Sequence, residues 1–95
     1  MIAGLGAAER IEATTVLLAT FAAAEDLTVT ADMRVSEKDA AELLGYAAGH
    51  LKNLRQEGRG PVSYQRGVGG SRVSYRLTDL SAWIEAGREG AGNDI

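Results

Sequence analysis

The sequence predicts a mainly α-helical fold that contains a small β-hairpin. Residues 7–24 are rich in alanine and contain neither glycine nor proline, which favours a long helix. Further along, two short helical segments meet at Gly45, and two β-rich segments flank a glycine cluster at 67–70. From this order we expect three parts: an N-terminal helical extension at 1–33, a compact domain at 34–88 and a flexible tail at 89–95.

The N-terminal helix carries one apolar stripe. Ile11, Leu18 and Phe21 recur at spacings near three and four, with Thr14 between them, so they share one side of the helix. We expect this stripe to be buried against the rest of the chain or against a second copy. The β-branched residues at 27–35 then indicate an extended segment or a short strand.

The next two helices have recognisable ends. Ser36 can cap the first of them, and the acidic residues at 37 and 39 suit the positive end of the helix dipole. Gly45 ends this helix, and the second is expected at 47–57. The residues that should point inward are Tyr46, Leu51 and Leu54. Two short helices joined at a glycine match the helix-turn-helix pattern.

A hairpin and a last helix follow. We expect strands at 62–66 and 72–77, joined by a glycine-rich tip. The residues of the second strand that should share its inner face are Val73, Tyr75 and Leu77. Thr78 and Asp79 then cap the last helix, and Tyr64 is expected in the core. The apolar side of the last helix comprises Leu80, Trp83 and Ile84.

The composition excludes several classes of function. The 95 residues include no cysteine, which rules out disulfides, thiolate chemistry and the usual structural zinc sites. The single histidine, His50, has no metal-ligand partner at a useful spacing, and no nucleophile has a recognisable base beside it. We therefore expect no enzyme, no cofactor and no metal. With no basic leader and no long apolar stretch, we expect a cytoplasmic protein of a bacterial host, not associated with a membrane.

The charge of the chain changes sign along its length. The whole chain carries a net charge of −3, but residues 34–88 contain nine basic and six acidic side chains, a net of +3. Residues 1–33 contain one basic and five acidic side chains, and the tail has two acidic ones. This distribution predicts a nucleic-acid-binding domain with acidic ends.

The order of these elements resembles the MerR-like winged helix-turn-helix family, in particular the short phage and prophage excisionases. The resemblance covers residues 35–87. Its sequence segments are 40–45 (AAELLG), 51–61, 69–76 (GGSRVSYR) and 80–84 (LSAWI). The chain departs from the family at Ala47, where a serine or threonine cap is usual, and at Gly49 within the second helix. It also has Lys52 and Asn53 where several members carry two arginines.

The resemblance implies that the second helix lies in the major groove of DNA and that the hairpin forms a wing toward the minor groove. The positions it assigns to base contacts are Gly49, Lys52, Asn53 and Gln56. The inward residues of this helix place the same four positions on its opposite side. Asparagine and glutamine can bond adenine, and lysine can bond guanine or phosphate. The expected phosphate contacts are His50, Arg55 and Arg59, and the expected wing contacts are Arg66, Ser71, Arg72 and Arg76.

These features predict a sequence-specific protein that binds double-stranded DNA and belongs to a phage or mobile element. It would act as an excisionase-like recombination directionality factor or a small transcriptional regulator, as a homodimer or cooperative oligomer on DNA. One alternative is an assembly protein of DNA packaging, similar to a small terminase subunit. Another is an inhibitor that keeps the fold but binds a phage or host protein. A further alternative is that the acidic first segment covers the basic face in the free protein.

Overall fold

The computed structural model describes residues 6–66 and 72–93, and these contain four helices and three strands. Along the chain they are α1 (Ala7–Ala24), β1 (Arg34–Ser36), α2 (Glu37–Leu44), α3 (Ala48–Gln56), β2 (Tyr64–Arg66), β3 (Arg72–Arg76) and α4 (Leu77–Asn93). The prediction of a mainly helical chain is confirmed, and its small β part is a three-stranded antiparallel sheet.

Local signals in the sequence set the ends of α2. The Ser36 hydroxyl accepts a hydrogen bond from the Asp39 backbone N–H at 3.1 Å, as predicted for the cap. Gly45 ends the helix with φ at 78°, a left-handed conformation that glycine adopts without strain. By contrast, α3 begins at Ala47 with no side-chain cap, so its first turn depends on packing rather than on capping.

The three strands form an antiparallel sheet in the order β1-β3-β2. Val35 lies opposite Tyr75, and both are buried beneath the sheet. The strand predicted at 72–77 ends one residue early because Leu77 begins α4, and the Leu77 N–H donates to the Met33 carbonyl at 2.8 Å. The cap predicted at 78–79 is therefore wrong, since these residues lie in the first turn of α4.

Helix α1 shares the core of the domain behind it. The central buried residues are Leu18, Val35, Ala40, Ala41, Leu51, Tyr75, Leu77 and Leu80. The hydroxyl of Thr15 donates to Ser81 at 2.8 Å, and Leu18 and Ala22 are buried on the same side of α1. Phe21 was predicted in the buried stripe but is 44% exposed, because the side of α1 that holds Thr15 and Leu18 is the one that faces α4.

The last helix is longer than the sequence predicted. Residues 89–95 were expected to form a flexible tail, but α4 is helical as far as Asn93. Each residue added to an existing helix gains a hydrogen bond without a new nucleation cost, so glycine in this stretch does not end it. Residues 94–95 lie outside the described residues.

Candidate nucleic-acid interface

One side of α3 holds the helix in place and the other faces solvent. Leu51 is fully buried and Leu54 is 9% exposed, which confirms that they point inward. Tyr46, before the helix, is half-buried and packs edge-on against Trp83, with ring centroids 6.2 Å apart. The exposed residues of α3 include every position predicted to face DNA bases: Gly49, Lys52, Asn53 and Gln56.

An open groove of about 870 Å³ lies between α3 and β3. The residues that line it are Ser36, Glu37, Lys52, Arg55, Gln56, Arg72 and Val73. The groove thus brings three predicted contact residues of α3 together with one of β3, Arg72. The predicted contacts that do not line it are Gly49, His50, Asn53, Arg59 and Arg76. Within the described part of the chain, no residue of α1 lines the groove either.

The floor of this groove contains a carboxylate that joins three elements. Glu37 accepts two hydrogen bonds from the Arg55 guanidinium, from Nε at 2.7 Å and from Nη2 at 3.2 Å. It also accepts one from the Tyr75 hydroxyl at 2.7 Å. Arg55 was predicted to contact phosphate, but its guanidinium is held by Glu37, so the observed contact fixes α3 against α2 and β3.

Contacts among Glu37, Arg55 and Tyr75 shift the pKa values of all three side chains. Burial opposes ionisation of Glu37, but the hydrogen bonds from Arg55 and Tyr75 outweigh it, so the pKa of Glu37 lies below its ordinary value of 4.5. The bond to Glu37 raises the pKa of Arg55, and burial together with Glu37 raises the pKa of Tyr75. Because Glu37 and Arg55 cancel, the positive charge that the groove presents comes from Lys52 and Arg72.

Other predicted contact residues also have protein partners. Arg59 forms an exposed ion pair with Glu57 at 3.1 Å. Arg76 pairs with Asp32 at 3.3 Å, and Arg34 pairs with the same carboxylate at 2.8 Å. The charge of Arg59, predicted to contact phosphate, and that of Arg76, predicted to contact DNA from the wing, are therefore at least partly neutralised within the chain.

Asp32 and Tyr64 organise the outer face of the sheet. The Thr30 hydroxyl and then Arg34 lower the pKa of Asp32 to about 2, so it stays ionised. The guanidinium groups of Arg76 and Arg34 lie 5.2 and 5.6 Å from the Tyr64 ring centroid. Tyr64 was predicted in the core; its ring instead lies against these two cations, and its hydroxyl donates to Asp79 at 3.0 Å.

Two cations of the groove differ from the rest. Among the described residues, the side chains of Lys52 and Arg72 form no hydrogen bond or ion pair, and both residues are exposed. His50 is exposed at the start of α3, with its ring edge-on to Tyr46 at 4.6 Å. Arg66 pairs with Arg72 in the strand register, and Ser71 lies outside the described residues.

Sequence reasoning missed the role of Glu37 and the pairing of Asp32. Glu37 was interpreted only as an acid that suits the helix dipole. Its partners lie 18 and 38 residues away, and no local pattern in the sequence signals such contacts. Asp32 likewise reaches Arg76 across 44 residues because β1 pairs with β3.

Within the described ranges, no group of three or more histidine, cysteine, aspartate or glutamate side chains is arranged to hold a metal ion. None of the helices there is both long and apolar enough to cross a membrane. Comparison of the chain with models of protein families, with curated proteins and with solved structures found no match. The interface must therefore be interpreted from the geometry and chemistry of its own residues.

Proposed function

We propose that this chain is a sequence-specific DNA-binding protein with a winged helix-turn-helix, in which α2 and α3 are the paired helices and the β2–β3 hairpin is the wing. The observation that carries the proposal is the groove between α3 and β3, where the side chains of Lys52 and Arg72 are exposed cations that form no hydrogen bond or ion pair with any described residue. Gln56 also lines the groove, and Asn53 is exposed on the same helix. Free cations beside amide side chains suit phosphate binding next to base recognition.

In this proposal, α3 enters the major groove and Arg72 contacts the DNA backbone from the wing. Asn53 and Gln56 read base edges, and Lys52 bonds guanine or a phosphate. The Glu37–Arg55 pair does not touch DNA but keeps α3 at a fixed angle to the hairpin. Nothing in this mechanism requires the protein to alter its ligand chemically.

The biological role that we propose is regulation of recombination or transcription in a phage or mobile element, in the manner of an excisionase. A single small module buries only about 600–1,000 Å² of protein surface on DNA. We therefore propose that several copies bind repeated sites side by side, and that bending or occluding the DNA produces the effect.

The test compares Lys52 with Lys38, two exposed lysines whose side chains form no hydrogen bond or ion pair within the described part of the chain. Lys52→Ala removes the cation in the groove, and Lys38→Ala removes one on α2 that does not line it. We expect Lys52→Ala to weaken binding to a selected duplex about tenfold and Lys38→Ala to change it much less. Equal losses would show that binding reflects overall charge only.

Base recognition is tested separately by site selection. Asn53→Ala should relax base preference at one position, by about 1–3 kcal/mol. Arg72→Ala should weaken all duplexes to a similar degree and leave the unfolding temperature unchanged, since Arg72 is exposed. Unchanged affinity in Arg72→Ala would remove the hairpin from the mechanism.

A further inference from the structure

Helix α1 presents a second apolar surface, on the side away from α4. Val16 is 59% exposed, Leu17 is 68% exposed and Phe21 is 44% exposed. These residues share one side of the helix with small exposed ones, and we call this side the outer face of α1. The small residues of the outer face are Ala13, Thr20 and Ala24. An apolar patch of this kind on a small protein indicates an interaction site.

Both ends of the outer face are acidic. Glu9 and Glu12 are exposed at the start of α1, and Glu25 and Asp26 are exposed where it ends. The one basic residue of this segment is Arg10, which forms an ion pair with Glu85 of α4 at 3.4 Å. The apolar outer face is therefore flanked by exposed acidic residues at both ends of α1.

The carboxylate of Glu25 at the end of α1 is not explained by folding. The C-terminus of a helix carries the negative end of its dipole, so cations are favoured there and carboxylates are disfavoured. Asp26, by contrast, has φ at 62° and donates its N–H to the Ala23 carbonyl at 3.2 Å, a left-handed helix end in which aspartate is one of the favoured non-glycine residues. Residues that weaken their own helix are often retained for contacts outside the chain.

A second copy of the chain does not suit this face. A parallel pair of α1 helices would bring Glu9 beside Glu9, and an antiparallel pair would bring Glu9 and Glu12 toward Glu25 and Asp26. Either arrangement places like charges together, which is unfavourable.

We infer that the outer face of α1 binds an amphipathic helix of another protein, one with an apolar stripe and basic residues at both ends. The apolar stripe would cover Val16, Leu17 and Phe21, and the basic ends would meet the four acids. This inference does not depend on DNA binding, because the outer face and the groove beside α3 share no residue.

The experiment uses two synthetic helical peptides with the same leucine–alanine stripe, one with lysine at both ends and one with glutamate. Their binding to the full chain is followed by fluorescence anisotropy at low and high salt. We expect the lysine peptide to bind at least about tenfold more tightly than the glutamate peptide, and to weaken as salt rises. Equal binding of both peptides would overturn the charge argument.

A matched pair of valine variants tests whether the peptide binds at the outer face of α1. Val16→Ser should weaken lysine-peptide binding several-fold. Val62→Ser changes a valine of equal exposure, 61%, outside α1, and should have no effect. Equal effects of the two variants would mean that the peptide binds elsewhere.

The double variant Glu25→Gln, Asp26→Asn separates binding from stability. It should raise the unfolding temperature, because it removes charge from the negative end of the helix, and it should weaken lysine-peptide binding. Sedimentation of the wild-type chain alone should show a monomer at about 50 μM. A dimer that Leu17→Gln abolishes would assign the outer face to a second copy and overturn the inference.

Discussion

Glu37 is the residue that joins α2, α3 and β3 beside the groove. Its carboxylate accepts hydrogen bonds from Arg55 of α3 and Tyr75 of β3, and all three side chains are largely removed from solvent. A carboxylate in such a position cannot be removed without leaving donors unsatisfied. It therefore acts as a positioning residue for the exposed side of α3.

The first prediction concerns the loss of this carboxylate. Glu37→Ala should lower the free energy of unfolding by about 1–3 kcal/mol, because Arg55 and Tyr75 lose their acceptor. Glu57→Ala breaks the exposed pair with Arg59 and should cost less than about 0.5 kcal/mol. Urea unfolding measures both changes. Similar losses in the two variants would mean that the Glu37 cluster is no stronger than a surface pair.

The second prediction follows from the lowered pKa of Glu37. A carboxyl group with a lower pKa in the folded state stabilises the protein above its unfolded pKa, near 4.5, and this contribution disappears as the pH falls through the folded value. The unfolding free energy should therefore fall below pH 4.5 in the wild type, and less steeply in Glu37→Gln. Asp32, with a pKa of about 2, acts in the same direction and remains in both proteins. Parallel curves for the two proteins would contradict this assignment.

At the scale of the element, α3 has weaker local helix signals than α2, the other helix beside the groove. It has nine residues, lacks a side-chain cap at Ala47 and contains Gly49. A helix of this length is marginal on its own, so Leu51 and Leu54 must supply most of its stability through packing. The exposed face can therefore carry residues chosen for binding rather than for helix formation.

The third prediction compares two glycines. A Cβ atom added at Gly49 would meet nothing within 4 Å, so Gly49→Ala should stabilise the protein by about 0.5–1 kcal/mol. Gly45 also has open space around it, but its φ of 78° is strained for alanine, so Gly45→Ala should destabilise. Thermal unfolding distinguishes the two. A stabilising Gly45→Ala would mean that the end of α2 is not fixed in the left-handed conformation.

The elements that the sequence predicts correctly are those with local signals. The serine cap at Ser36, the stop at Gly45 and the spacing of Leu51 and Leu54 depend only on neighbouring residues, and all three are confirmed. The side of α1 that is buried depends on where α4 lies, and a periodicity alone could not distinguish Phe21 from Ala22. The ion pairs of Arg55 and Arg76 likewise required the fold, because they join residues far apart in the chain.

At the scale of the molecule, α1 belongs to the same core as the domain that follows it. Leu18 lies in that core, whereas the adjacent Leu17 is 68% exposed. The fourth prediction is that Leu18→Ala lowers the unfolding free energy by about 2–5 kcal/mol, while Leu17→Ala changes it by about 0.5 kcal/mol or less. Denaturant unfolding measures this difference. Equal, small effects would show that α1 folds apart from the rest.

The charge of the molecule differs between α1 and the groove beside α3. Acidic residues mark both ends of α1, which packs on α4, while the groove beside α3 presents Lys52 and Arg72. A net charge of −3 is therefore compatible with the proposed DNA binding, because the acids of α1 do not line the proposed contact surface.

The most direct test of this account is the salt dependence of binding to a duplex that contains a selected site. For a protein that neutralises phosphates, the logarithm of the binding constant falls linearly with the logarithm of the salt concentration, by about 0.9 for each phosphate. We expect a slope of about −2 or steeper, made shallower by about one in Lys52→Ala. No binding at low salt, or binding that salt does not weaken, would contradict the proposed function.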